Sequence, residues 1–170
     1  MTTENQSSGT NEPEQPRIVV GVDGSPTSLE ALEWAVREAR LRGATLEVVH
    51  ASFFRQVFLD SFPGTKEGER YILDAALAKA KAMAPDINIV GRFGDPPAAQ
   101  VLVEVSKDAD LLVVGSRGLG PFKEFSMGSV SHDCARHAQC PLVIIRPGTS
   151  QMALAPRVSD WTNMQLSKRP

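Results

Sequence analysis

The chain has 170 residues, enough for one domain with a sizeable core and some terminal extension. Hydrophobic residues make up 42% and charged residues 22%, with a formal net charge of −2; this suits a soluble globular fold and gives no support to a nucleic-acid binder. No apolar run approaches the roughly 20 residues of a bilayer-spanning helix, so no membrane partner is expected, and the polar, acidic opening MTTENQSSGTNEPEQP lacks the apolar stretch of a secretory signal.

Residues 1–16 hold no hydrophobic face and are expected to form a disordered arm. Arg17-Ile18-Val19-Val20-Gly21-Val22 is a β-branched run, read as the first strand. Asp23-Gly24-Ser25-Pro26 then supplies turn chemistry and a helix start, with Ser25 as N-cap and Pro26 at the first helical position. Leu29, Leu32, Val36 and Ala39 give the first helix one apolar face, and Gly43 stops it. Thr45 to Ala51 is the second strand. Residues 52–64 lack a period and read as a loop, whose Phe53, Phe54, Phe58 and Phe62 serve either as core or dimer contacts or as a roof over a bound base.

A second helix is expected from about Thr65 to Ala84, with Ile72, Leu73, Ala76, Leu77, Ala80 and Met83 inward and Pro85 ending it. Ile87 to Val90 reads as a short third strand. Asp95-Pro96 repeats the cap-plus-proline start for a third helix carrying Ala98, Val101, Leu102 and Val105 inward. Leu111 to Val114 is the fourth strand, Ser129 to Ala138 the fourth helix, and Leu142 to Ile145 a fifth strand between Pro141 and Pro147. From Gly148 the chain is polar again, yet holds Met152, Leu154, Trp161 and Met164; this tail is either loose or lies across a groove or partner. Strands alternating with helices imply an α/β fold with a parallel sheet, and the near-continuous apolar strands imply that both its faces are covered.

The chemistry concentrates between Gly115 and Ser129, GSRGLGPFKEFSMGS. A buried strand empties into a glycine-rich loop that feeds a helix. Glycine lets backbone N–H groups approach an anion, and a helix start offers unpaired donors at its positive end, so a phosphate-bearing small molecule is the natural guest. Ligands of open α/β sheets sit beyond the carboxyl ends of strands where the winding reverses. If the first and fourth strands are neighbours, Asp23 faces the same crevice, where it either accepts from a ribose hydroxyl or adenine amine or merely starts a turn.

Within the glycine loop, Arg117 and Lys123 are either counter-charges for a triphosphate or solvated. Cys134 and Cys140 are read as reduced packing residues in a leaderless chain. His50 reads as a packed residue with a local hydrogen bond, and His132 and His137, five apart, do not form a metal pair. Neither a P-loop, nor GxGxxG after the first strand, nor a GxSxG elbow is present.

Ile18-Val19-Val20-Gly21-Val22-Asp23-Gly24-Ser25, Val113-Val114-Gly115-Ser116-Arg117-Gly118, Met127-Gly128-Ser129-Val130-Ser131 and Cys140-Pro141-Leu142-Val143-Ile144 together resemble the universal stress protein family, in its ATP-binding branch. That branch's signature G-x2-G-x9-G-(S/T) is met by Gly115, Gly118, Gly128 and Ser129; Pro121 and Phe122 are less usual within it. The resemblance covers residues 17–147 as one domain and leaves 1–16 and 148–170 outside. It implies a three-layer α/β domain of the adenine nucleotide alpha hydrolase-like type, with a five-stranded parallel sheet of order 3-2-1-4-5.

ATP, with or without Mg2+, is the implied ligand; AMP and cyclic AMP are alternatives. By position, Val22 and Asp23 would contact adenine or ribose, Ala51 the base, and Val114 and Gly115 the sugar. Gly118, Gly128, Ser129, Val130 and Ser131 would hold phosphates, with Arg117 near them. A cytoplasmic, ligand-dependent stress regulator is implied, homodimeric through Leu142–Ile145. No catalytic residue is assigned, because Asp23 is the sole carboxylate placed near the nucleotide and at most weak ATP hydrolysis is expected.

Overall fold

The computed structural model describes residues 15–51, 66–95, 97–118 and 127–148, with the backbone alone described at 66–69. In chain order the described elements are β1 (Arg17–Gly21), α1 (Pro26–Arg42), β2 (Thr45–Ala51), α2 (Lys66–Met83), β3 (Ile89–Gly94), α3 (Ala98–Val105), β4 (Leu111–Gly115), α4 (Ser129–His137) and β5 (Leu142–Ile145). The strands form one sheet of order β3-β2-β1-β4-β5, every neighbouring pair parallel. The expected fold class and strand order both hold.

Alternation along the central strands feeds two cores. Ile18, Val20, Leu46, Val48, Leu111 and Val113 pack against α1 and α2, while Val19, Val49, Leu112 and Val114 pack against α3 and α4. Burial on both faces explains why these strands read as unbroken apolar runs. The ends of α1 follow local chemistry. Ser25 is the N-cap, its side chain accepting from Ser28 N at 3.2 Å, with Pro26 next. Gly43 closes the helix in the left-handed region at φ 63°, where a Cβ would be strained.

Two expectations are corrected. The third strand runs Ile89–Gly94 rather than Ile87–Val90, in register with β2 from Leu46↔Ile89 to Ala51↔Gly94. Gly91 and Gly94 belong to it because helices pack close: a Cβ on Gly91 would lie 2.6 Å from Leu77 Cδ1, and one on Gly94 would overlap Val101. Asp95 does not cap the third helix, which begins at Ala98 behind Pro97 without a side-chain cap. The other boundaries agree to within one residue. The expectations for residues 1–14, 52–65, 119–126 and 149–170 lie outside the described residues.

One buried charge went unforeseen. Glu47, only 4% exposed, is held by Arg17 Nη1 at 2.7 Å and by Arg92 Nε, and Arg17 Nη1 also donates to Val105 O of α3 at 3.0 Å. Two guanidinium partners compensate the desolvation of the carboxylate; losing one would leave a buried charge underpaired.

Candidate functional site

β1 and β4 pair side by side as far as Val20↔Val113, and beyond that point their chains part. Val22 N donates to Val49 O of β2 at 2.9 Å, whereas Ser116 N donates to Ile145 O of β5 at 2.7 Å. Each strand end is drawn toward its outer neighbour, which opens a crevice at the switch point of the sheet. The two loops that the sequence singled out form its walls.

The first wall is closed on itself. Asp23 Oδ1 accepts from Ser25 N at 2.9 Å, and Asp23 N donates to Ser28 Oγ at 3.3 Å. Ser28 Oγ in turn donates to Ser25 O at 2.9 Å. Val22, buried, has its N–H committed to β2 and its carbonyl accepting from His50 Nδ1 at 2.8 Å. That bond is the local one expected of His50; the second ring nitrogen, Nε2, is buried without a partner among the described residues.

The second wall is braced across its own gap. Gly128 N donates to Ser116 O at 2.8 Å, and Ser131 Oγ donates to Gly115 O at 3.0 Å. Ser131 is buried, and its one hydroxyl proton serves this brace, so what it can offer an anion is its amide. α4 starts at Gly128 (φ −73°, ψ 159°) with no side-chain cap, and its first internal bond is His132 N to Gly128 O at 2.9 Å. The amides of Ser129, Val130 and Ser131 therefore have no acceptor among the described residues.

The three signature glycines differ in why they are glycine. A Cβ on Gly115 would sit 2.9 Å from Thr27 C and 3.0 Å from Ser28 N, so this glycine lets the strand end pack on α1. On Gly118 a Cβ would overlap Asp23 Oδ2, so the two walls touch there. On Gly128 the nearest atom would be 3.5 Å away, an ordinary contact, and the backbone angles suit any residue. Among the described residues, nothing requires Gly128 to lack a side chain.

The fold thus brings Asp23, Gly115, Arg117, Gly118, Gly128, Ser129, Val130 and Ser131 to one crevice. The Arg117 side chain is exposed and makes no hydrogen bond or ion pair among the described residues. Ala51 ends β2 opposite Gly94, and the Val114 side chain lies in the core beneath α3 and α4. Cys134, fully buried, seats α4 on the sheet; burial first, then Asp133 and Cys140, pushes its thiol up to about 11, so it stays protonated. Sequence reasoning missed Thr27, a buried residue of α1 whose Oγ1 donates to Arg117 O across the crevice. A threonine early in a helix carries no signal of a bond to a distant loop.

Known proteins agree with this architecture. The universal stress protein family model matches residues 16–146. A universal stress protein of Mycobacterium tuberculosis is 37% identical over 149 residues, covering 79% of this chain and 49% of the relative. Universal stress protein YxiE of Bacillus subtilis is 31% identical over 146 residues, covering 76% of this chain and 98% of YxiE. The chain spans about half the length of the mycobacterial relatives it matches.

Among solved structures, a universal stress protein in complex with cAMP shares 32% identity at a TM-score of 0.61, covering 78% of this chain and 97% of that one. One from Archaeoglobus fulgidus shares 26% at a TM-score of 0.59, covering 76% and 93%. With the sheet order, the crevice and these relatives in agreement, the chain belongs to the universal stress protein family.

Proposed function

We propose that this protein binds ATP, or a related adenine nucleotide, between the ends of β1 and β4, and acts as a nucleotide-dependent regulator in stress adaptation. The observation that carries the reading is the start of α4, with no side-chain cap: three amides without acceptors among the described residues, behind a glycine on which those residues leave room for a side chain. Helix dipole and orphan donors together favour an anion at such a place. The phosphates lie on the amides of Gly118, Ser129, Val130 and Ser131, against Gly128, with Arg117 adding positive charge. Because Gly128 N already reaches Ser116 O, Gly128 contributes mainly by its missing side chain. Ribose and adenine lie toward Asp23, Val22 and Ala51, with Val114 and Gly115 beneath the sugar.

Asp23 is engaged by Ser25 N and pressed against Gly118, so it holds loops together more than it activates water. Turnover is accordingly weak at most, with or without Mg2+. Regulation works by population shift: the nucleotide favours whichever arrangement of the glycine loop it binds better. In the cytoplasm the chain forms a homodimer by pairing Leu142–Ile145 with a second copy, which would cover an apolar strand whose one sheet neighbour among the described residues is β4.

A second reading, cyclic AMP as the physiological ligand, is favoured by the relative solved with cAMP. Mass spectrometry of nucleotide released from purified protein, followed by competition calorimetry with ATP and cyclic AMP, tests both. The proposal expects an adenine nucleotide and tighter ATP binding. Tighter cyclic AMP binding selects the second reading, and no binding of either refutes both.

A further inference from the structure

The start of α1 grips the glycine loop at successive points. Its Thr27–Ser28 backbone packs on Gly115, Asp23 just before it packs on Gly118, and between them Thr27 Oγ1 donates to Arg117 O. Ser25 Oγ lies 3.5 Å from the same carbonyl, at the limit of a hydrogen bond, so Thr27 provides the firm directional contact. Thr27 is 6% exposed, and its branched side chain has few rotamers to choose from.

The consequence follows from peptide geometry. Arg117 C=O and Gly118 N–H belong to one planar trans peptide and point in opposite directions. Fixing the carbonyl on α1 therefore turns Gly118 N–H away from α1, and that N–H has no acceptor among the described residues. Glycine on the C-terminal side makes the reverse orientation of this peptide sterically accessible, and the reversed peptide would present a carbonyl oxygen where the donor now stands.

We infer that Thr27 is a positioning residue which locks the Arg117–Gly118 peptide so that a donor, not an acceptor, faces the anionic end of the ligand. This deepens the proposed nucleotide site and rests on that reading. Thr27 touches no ligand; it acts through the peptide it holds.

Calorimetry with ATP and with adenosine on the wild type, T27V and T27S tests it, alongside thermal melting. T27V keeps the shape and removes the donor. It is expected to weaken ATP about tenfold, or 1.4 kcal/mol, while adenosine, which lacks phosphate, changes less than about twofold; T27S restores ATP affinity to within about twofold. Equal losses for ATP and adenosine, or none for either, overturn the inference while leaving the nucleotide site standing. A wild type that binds neither compound overturns both. Should T27V fold poorly, the wild type still decides: ATP but not adenosine is expected to shift the Gly118 amide proton in an NMR titration, and an unmoved Gly118 amide overturns the inference.

Discussion

Helices α1 and α4 both begin beyond the carboxyl end of a central strand, on opposite faces of the sheet, and they finish their first turns in opposite ways. α1 has a serine cap that accepts from its own third residue, and its neighbouring hydroxyls bond within the turn or to the opposite loop. α4 has a glycine cap that offers no side-chain acceptor, leaving three amides without an acceptor among the described residues. Both helices have the same positive end. In α1 it is met from within by the Ser25 side chain; in α4, on the proposed reading, it receives the phosphates of a guest. The cap residue thus separates a helix that would support the proposed site from one that would form it.

The largest effect expected is that of Gly118→Val, which forces a side chain into Asp23 and pushes the two walls apart. Nucleotide affinity should fall by more than about 100-fold, about 2.7 kcal/mol, and overpacking should cost about 1–3 kcal/mol of stability in urea. Gly128→Val should cut affinity at least tenfold, about 1.4 kcal/mol, yet shift stability by less than about 0.5 kcal/mol. A large stability loss there would mean that Gly128 serves packing and that the contrast between the two helices is misdrawn.

Ser25→Ala, removing the cap of α1, should cost about 1 kcal/mol of stability and leave calorimetric affinity within about threefold. The smallest effect belongs to Gly128→Ser, which gives α4 a cap like that of α1. A gain of a few tenths of a kcal/mol in unliganded stability is expected, with a loss of about threefold in affinity as the new hydroxyl competes for an amide.

Local chemistry was readable without the fold. Ser25, Pro26 and Gly43 mark the ends of α1 because capping and left-handed closure depend on neighbours in sequence. The spacing of Gly115, Gly118 and Gly128 was equally plain. What each glycine does was not: Gly115 answers to Thr27 and Ser28, Gly118 to Asp23, and both contacts come from distant chain. β3 was misplaced for a related reason. Gly91, Arg92 and Gly94 look like loop residues, and only pairing with β2 and the approach of Leu77 and Val101 make them strand. Thr27 and Glu47 were silent in sequence because their partners, Arg117 in one case and Arg17 and Arg92 in the other, meet them through tertiary structure.

A crystal structure of the protein grown with ATP tests the central claim most directly. The account predicts phosphate oxygens within about 2.7–3.2 Å of the Ser129, Val130 and Ser131 amides, the adenosine lying on the Asp23 side, and the first turn of α1 unchanged. ATP seated elsewhere, or an empty crevice at saturating nucleotide, would contradict it.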